Sequence, residues 1–243
     1  MCYQHGCGTD KNILAAINIY NKLASDGDTF AIERLEKLSD EIKDASHFFT
    51  LGSCYDLGKG VECDAEKAIK YYTLAADMGH DRARHNLADL YRYGNHGVEI
   101  NTEKAIEYYS AAAENGMARS INSLGTLYEE LGDCEKAVEQ YSAASSLGYR
   151  DGTFNLAMCI KNGTGIKKDV SLAEELLRKL ADKNDIDAMN NLAIMLSDGE
   201  ATEAFNLFHK AAQMGNINAM YNLAQCYEEG KCDVEANPAL AIE

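Results

Sequence analysis

Four asparagines recur at one position of a repeated segment: Asn86, Asn155, Asn191 and Asn222 immediately precede Leu87, Leu156, Leu192 and Leu223. A carboxamide carries N–H donors and a carbonyl acceptor, so a row of them suits the main chain of an extended peptide. Bracing of neighbouring helices uses the same chemistry, and the sequence leaves both readings open. Four such bonds at about 1 kcal/mol each reach about 4 kcal/mol, roughly millimolar binding, so other contacts must supply specificity. Arg82 and Arg119 stand five residues before Leu87 and Leu124, with His85 and Asn122 two residues before them. Paired guanidiniums hold a carboxylate through charge-assisted, bidentate bonds, which makes this group a candidate clamp for an acidic or C-terminal peptide. Surface pairing of the arginines with Asp81, Asp89 or Glu114 is the competing reading. Phe49, Phe154 and Tyr221, also two residues before a leucine, offer rigid anchors to a partner or to the adjacent helix. Later copies place Asp151 and Asp187 where Arg82 and Arg119 stand, with Glu229 nearby, so the charge of this face changes sign along the chain.

Catalytic and metal-binding patterns are sparse. The sequence has no His-Glu-x-x-His, phosphate loop or Ser-x-x-Lys, so the expectation is a protein that is not an enzyme and has no cofactor. Cys2, His5 and Cys7 lack a distant fourth ligand, and no metal is expected there. Asn162-Gly163-Thr164 matches a glycosylation acceptor by chance. Among eight cysteines, Cys54, Cys159 and Cys226 take a position filled elsewhere by Leu90, Leu127 and Met195, which is an apolar packing site. Cys63, Cys134 and Cys232 lie near helix starts. Cys54 with Cys63 and Cys226 with Cys232 are close enough in sequence to pair, against a default of reduced thiols.

A formal charge of −16 over 243 residues argues against nucleic acid or anionic membrane, which need clustered Lys and Arg. No apolar stretch approaches the roughly 20 residues of a bilayer span. The N-terminus lacks a basic region followed by an apolar one, so a cytoplasmic protein is expected, with no signal peptide and no membrane insertion.

Repetition dictates how these residues are positioned. Lys67-Ala68-Ile69-Lys70-Tyr71-Tyr72 through Gly79 returns from Lys104 to Gly116 and from Lys136 to Gly148. Such periodicity means stacked units whose extended surface binds things. Leu51, Leu87, Leu124, Leu156, Leu192 and Leu223 mark a first helix, A, with small residues such as Ala83, Ser120, Gly152, Ala188 and Ala219 four positions earlier. Ala68, Ile69, Tyr72, Ala75 and Ala76 form one stripe of a second helix, B, flanked by Tyr71; Tyr108 flanks the next copy likewise. The spacing predicts an antiparallel hairpin. Gly27, Gly79, Gly116, Gly148, Asn184 and Gly215 end the B helices, where a left-handed residue is wanted. Asp64, Asn101, Asp133 and Asp169 cap their starts, and Pro238 opens a last one. With about 100° per residue, the positions one, two and five before the leucine fall opposite the core stripe.

Leu-Gly-x-x-Tyr-x-x-Gly-x-Gly-Val, Lys-Ala-x-x-Tyr-Tyr and Ala-Ala-x-x-Gly together resemble the Sel-one-like repeat family over about residues 45–243. The short copy with Tyr128-Glu129-Glu130-Leu131-Gly132-Asp133 looks more like an ordinary tetratricopeptide repeat. The resemblance implies an all-α, right-handed superhelical solenoid of antiparallel helix pairs, with the A helices lining a concave groove. It makes Asn86, Asn155, Asn191 and Asn222 groove residues, since related tetratricopeptide proteins hold peptides with asparagine at this place. Cysteine-rich members associated with penicillin binding pair cysteines between the end of B and the next A, a placement missing here. Residues 1–44 are expected to form a helical cap with one B-like helix (Ala16, Ile17, Tyr20, Ala24) and one extra helix (Ile32, Leu35, Leu38, Ile42). Residues 45–243 then carry about six repeats, the last incomplete at Ala239–Glu243. An open last face predicts a longer protein or a covering chain. Two functions remain: a scaffold or adaptor for a protein or peptide ligand, and a structural array that self-associates as a homo-oligomer through its terminal repeat, or stacks on further repeats.

Overall fold

A computed structural model describes residues 13–41, 44–232 and 234–237. Cys2, His5 and Cys7, Ile42, Pro238 and Ala239–Glu243 lie outside the described residues. Thirteen α-helices and one short 3-10 turn, with no strand, make up the described residues. The chain divides into two compact units, 1–124 and 125–243.

The first unit contains α1 (Ile13–Ser25), α2 (Thr29–Leu38), α3 (Ala45–Leu57), α4 (Ala65–Asp77), α5 (Asp81–Tyr93), the turn Asn95–Gly97, α6 (Thr102–Glu114) and the start of α7 (Ala118–Glu130). The second contains the rest of α7, α8 (Cys134–Ser146), α9 (Arg150–Asn162), α10 (Val170–Ala181), α11 (Ile186–Leu196), α12 (Ala201–Gln213) and α13 (Ile217–Glu229). The extra helix expected before the first full hairpin is α2. The A helices are α3, α5, α7, α9, α11 and α13. In the first unit α3 packs on α4 and α5 on α6; in the second α9 packs on α10, α11 on α12, and α12 on α13.

Local chemistry sets the helix limits. Asp64, Asn101, Asp133 and Asp169 each accept a bond from the backbone N–H three residues on, at 3.0, 2.9, 3.2 and 3.0 Å, satisfying one of the open donors at the helix start. Asn184 takes φ 63° at the end of α10, the role that glycine fills in the other copies. Each unit has its own core. Leu51, Leu87, Tyr72 and Tyr109 are fully buried in the first, and Tyr141, Leu177, Leu192 and Phe208 are buried in the second. Tyr72 lies so close to α3 that a β-carbon on Gly52 would stand 2.5 Å from its ring, and Gly125 faces Tyr141 at 2.7 Å in the same way. A small residue after the leucine therefore admits the B-helix ring.

Tyr71 departs from its expected flanking place. It is buried, stacked between Phe48 and Tyr55 at centroid distances of 6.4 and 6.1 Å. Tyr108 remains half-buried against Tyr91 at 6.0 Å. Cys54 and Cys159 occupy the apolar sites expected, and burial pushes both thiols up to about 11.

Candidate hydrogen-bonding face of the A helices

The buried tyrosines of the B helices carry their hydroxyls through to the far side of the A helices. Tyr72 Oη lies 3.1 Å from Asp56 Oδ2 and 3.2 Å from Ser53 Oγ, and it accepts a bond from Asn86 Nδ2 at 2.9 Å. Tyr109 Oη donates to Asp89 Oδ1. In the second unit Tyr141 Oη donates to Glu129 Oε2 at 2.6 Å. A ring that fills the core thus ends in a hydroxyl that fixes a carboxylate, as suits an amphipathic aromatic.

In the first unit a cavity of about 270 Å³, open to one side, is lined by Asp56, Tyr72, Asn86, Asp89, Asn95 and His96, with Leu57 and Leu90 as its apolar wall. Burial, with Asp89 adding its charge, lifts the Asp56 carboxyl above the usual range, against the lowering effects of the Tyr72 hydroxyl and His96. His96 Nε2 stands 3.5 Å from Asp56 Oδ1. A smaller cavity of about 70 Å³ in the second unit has Glu129, Asn155, Met158, Asn162 and Thr164 on its walls. Both cavities are rich in acceptors, so the group they suit is a donor: an ammonium, a guanidinium or a main-chain N–H.

The asparagine row is divided in its use. Asn86 is tied to Tyr72. Asn191 donates to Asp187 O within its own helix at 2.9 Å, and Asn222 donates to Asn190 Oδ1 across to α11 at 2.9 Å. Asn155 is half-buried on its cavity wall. The position two residues before the leucine differs from the open face that helix geometry predicts. His85 is 1% exposed and Asn122 9%, so in these two copies the position is closed off from solvent. His85 Nδ1 meets Ser120 Oγ at 2.9 Å, and its Nε2 lies 3.5 Å from Asp89 Oδ2. Burial and nearby Arg119 hold the His85 imidazole below its usual range, with Asp89 opposing. Ser120, His85 and Asp89 follow the order of an acyl-transfer triad, but Ser120 is fully buried and no substrate carbonyl reaches it.

Phe49 is half-buried in a stack, with His80 at 4.4 Å on its ring and the Arg82 guanidinium 4.8 Å from its centroid. Asp81 pairs with Arg84 at 2.7 Å and not with Arg82. Arg119 is exposed. Phe154 is half-buried under Arg150, 5.2 Å from the guanidinium carbon, while Tyr221 is 65% exposed and accepts from Gln225 at 3.2 Å. The acidic stretch expected from Asp151 and Asp187 is occupied internally. Arg150 reaches Asp151 at 2.8 Å, Asp187 at 2.7 Å and Asp185 through two nitrogens. Burial raises the Asp185 carboxyl, but the Arg150 guanidinium and the Ala188 N–H outweigh it and hold it below the usual range. Asp56, Tyr72, Asp89, Tyr109, Glu129, Tyr141 and Arg150 are the site residues that repeat reading passed over. Their signal was present in part: Asp56 and Glu129 both stand five residues after the leucine, and the three tyrosines share one B position.

Stacked helix hairpins with a polar outer row on the A helices define a helical-repeat protein. The Sel1 repeat model matches residues 1–28, 49–80, 81–117, 150–185, 186–216 and 217–243, and the chain belongs to the Sel1 repeat family. The match extends ahead of residue 45, where the resemblance read from the sequence begins, and it omits 118–149, which holds the short tetratricopeptide-like copy. Among solved structures the chain is similar to c5321, a protective antigen of uropathogenic Escherichia coli with an SLR fold. The two are 25% identical with a TM-score of 0.80, covering 99% of this chain and 58% of that one. It is also similar to a Sel1 repeat protein from Oxalobacter formigenes, 28% identical with a TM-score of 0.78, over 94% of this chain and 93% of that one. The chain thus spans little more than half the length of the Escherichia coli antigen. No curated protein matches it. Sel1 repeat proteins are generally protein-interaction scaffolds, and the repeat is typically a non-enzymatic fold. No helix among the described residues is long and apolar enough to cross a membrane.

Proposed function

We propose that this chain is a protein-interaction scaffold or adaptor that holds a peptide or protein surface on its A-helix face, with a basic side chain of the partner in the cavity between Asp56 and Asp89. The observation that carries the reading is that cavity: two carboxylates, each already oriented by a tyrosine hydroxyl, beside the amide of Asn86. Pre-oriented acceptors lose little freedom when a cation arrives, and a charge-assisted bond there is about twice as strong as a neutral one. Arg82 and Arg119, both exposed, offer a carboxylate of the same partner a place on the first unit. His85 and Asn122, buried between helices, act by positioning, while Asn155, Asn191, Asn222, Phe154 and Tyr221 contribute contacts on the second unit. Residues 1–44 serve as the N-terminal cap of the repeats.

Isothermal titration of peptides selected by display on the full chain tests this reading. Alanine at Asn86, Asn155, Asn191 and Asn222 together is expected to weaken binding at least about tenfold, the loss of one to two hydrogen bonds. Unchanged affinity, combined with a solution mass that rises with concentration, would favour the self-associating array.

A further inference from the structure

Two thiols meet beyond the end of α13. Cys226 lies on the buried side of that helix and Cys232 in the loop that follows, 3% and 7% exposed. Cys226 Sγ donates to Cys232 Sγ at 2.8 Å. The other pair that lies close in sequence is turned elsewhere: Cys54 donates to Ala24 O at 3.4 Å, and Cys63 lies 3.8 Å from Asp56 O. Burial, reinforced by the second sulfur, holds the Cys226 thiol well above its usual range. Beside the pair is a cavity of about 200 Å³ that Ile194, Phe208, Asn222 and Gln225 help to line.

The backbone at Cys232 is unusual for its residue type. Its φ is 58°, in the left-handed region where a β-carbon crowds the carbonyl oxygen. Nine residues after the leucine, every long A-to-B loop of this chain makes the same turn: Gly60 at 74°, His96 at 56° and Gly165 at 68°. Two of these loops use glycine, which makes the turn without strain. The last loop uses a cysteine instead, and its side chain arrives on the other thiol.

We propose that Cys226 and Cys232 form a redox-closing pair that oxidises to an intramolecular disulfide and pins the loop after α13 to its helix. The sulfurs need approach by less than 1 Å to reach the bonded distance of about 2.0 Å. The oxidant is a low-molecular-weight disulfide. Cys232, the more exposed of the two residues and the acceptor of the contact, loses its proton and attacks one sulfur of the oxidant, releasing one thiol and leaving a mixed disulfide. Cys226 then loses its proton and attacks the Cys232 sulfur, which expels the second thiol. Two S–H bonds are broken and one S–S bond is made, and the oxidant disulfide is reduced to two thiols.

The full chain equilibrated over a series of reduced-to-oxidised glutathione ratios, acid-quenched, alkylated and mapped by mass spectrometry provides the test. A peptide linked through Cys226 and Cys232 is expected, with two hydrogens lost from the intact mass while Cys54 and Cys159 still alkylate after unfolding. Tryptic cleavage at Lys231 should slow severalfold in the oxidised form and recover with dithiothreitol. Cys232→Gly keeps the left-handed turn, is expected to fold, and should leave Cys226 alkylatable at every ratio. Cys226→Ser should stop at glutathione bound to Cys232. An unchanged thiol count, a mixed disulfide persisting on Cys232 of the unsubstituted chain, or an unchanged cleavage rate would overturn the proposal.

Discussion

One position of the B helix separates the two units. In residues 1–124 it is Tyr72 and Tyr109, whose hydroxyls reach Asp56, Asn86 and Asp89. In residues 125–243 Tyr141 keeps that reach, but Leu177 and Phe208 end within the core. Charge is managed differently as well. The first unit rests on tyrosines, the buried His47 and His85, and cations over rings such as Arg82 on Phe49 and Lys67 on Tyr55. The second gathers carboxylates round two arginines: Arg150 among Asp151, Asp185 and Asp187, and Arg178 among Glu174, Glu200 and Glu203. One backbone repeat accepts both chemistries because the Leu-Gly or Leu-Ala seam and the caps carry the fold. The face outside that seam is free to differ. Where hydroxyls emerge the face offers fixed acceptors, and where Leu177 and Phe208 stop short it does not.

Core truncation should produce the largest effect. Leu177→Ala removes a fully buried side chain without touching a polar group, and it is expected to cost about 3 kcal/mol in chemical denaturation. Tyr72→Phe keeps the core ring but strands the Asn86 amide and the Asp56 carboxylate. A loss of about 1–2 kcal/mol is expected there, whereas Phe208, which has no hydroxyl to lose, marks a position where the second unit is insensitive to this chemistry. A fully neutral Tyr72→Phe would mean that the hydroxyl bonds of the first unit contribute nothing that Leu177 and Phe208 lack. Arg150→Met leaves Asp185 without its guanidinium; because the arginine is partly exposed, about 1 kcal/mol is expected, and the difference from the parent should shrink in high salt.

The smallest effect concerns acid. Burial lowers His47 and His85, so the unfolded chain binds protons that the folded first unit resists. Stability is therefore complete above the unfolded histidine value of about 6.5 and falls as pH drops below it. The loss should appear as faster amide exchange in α3 and α5 than in α9 and α11 when pH is lowered from 7 to about 5.5. His85→Gln should flatten that dependence in α5.

Much of this architecture was legible because it is local. Asp64, Asn101, Asp133 and Asp169 cap as their types require, Asn184 substitutes for glycine, and α2 appears where the interval from Gly27 to Leu51 demanded a helix. The face was less legible. Helix periodicity places His85 and Asn122 opposite the core stripe, yet both are buried, His85 against Ser120 at the start of the next A helix, and one helix alone does not encode which residue of another it meets. Nor does periodicity say how far a core ring extends: Tyr72 reads as packing, and its hydroxyl is what organises Asp56 and Asn86. Arg150 stood beside Asp151 in the sequence, but its reach to Asp185 and Asp187 depends on the next hairpin.

The fixed acceptors of the first unit are proposed to bind a basic group. The most direct measurement is the affinity of display-selected peptides for the full chain, for the double variant Asp56→Asn with Asp89→Asn, and for Glu175→Gln, an exposed carboxylate on α10 away from the A helices, as a control in the second unit. A loss of at least about tenfold is expected in the double variant, equivalent to about 1.4 kcal/mol, with little change in the control. Selected peptides that carry no basic residue, or that bind the double variant as tightly as the parent, would contradict it.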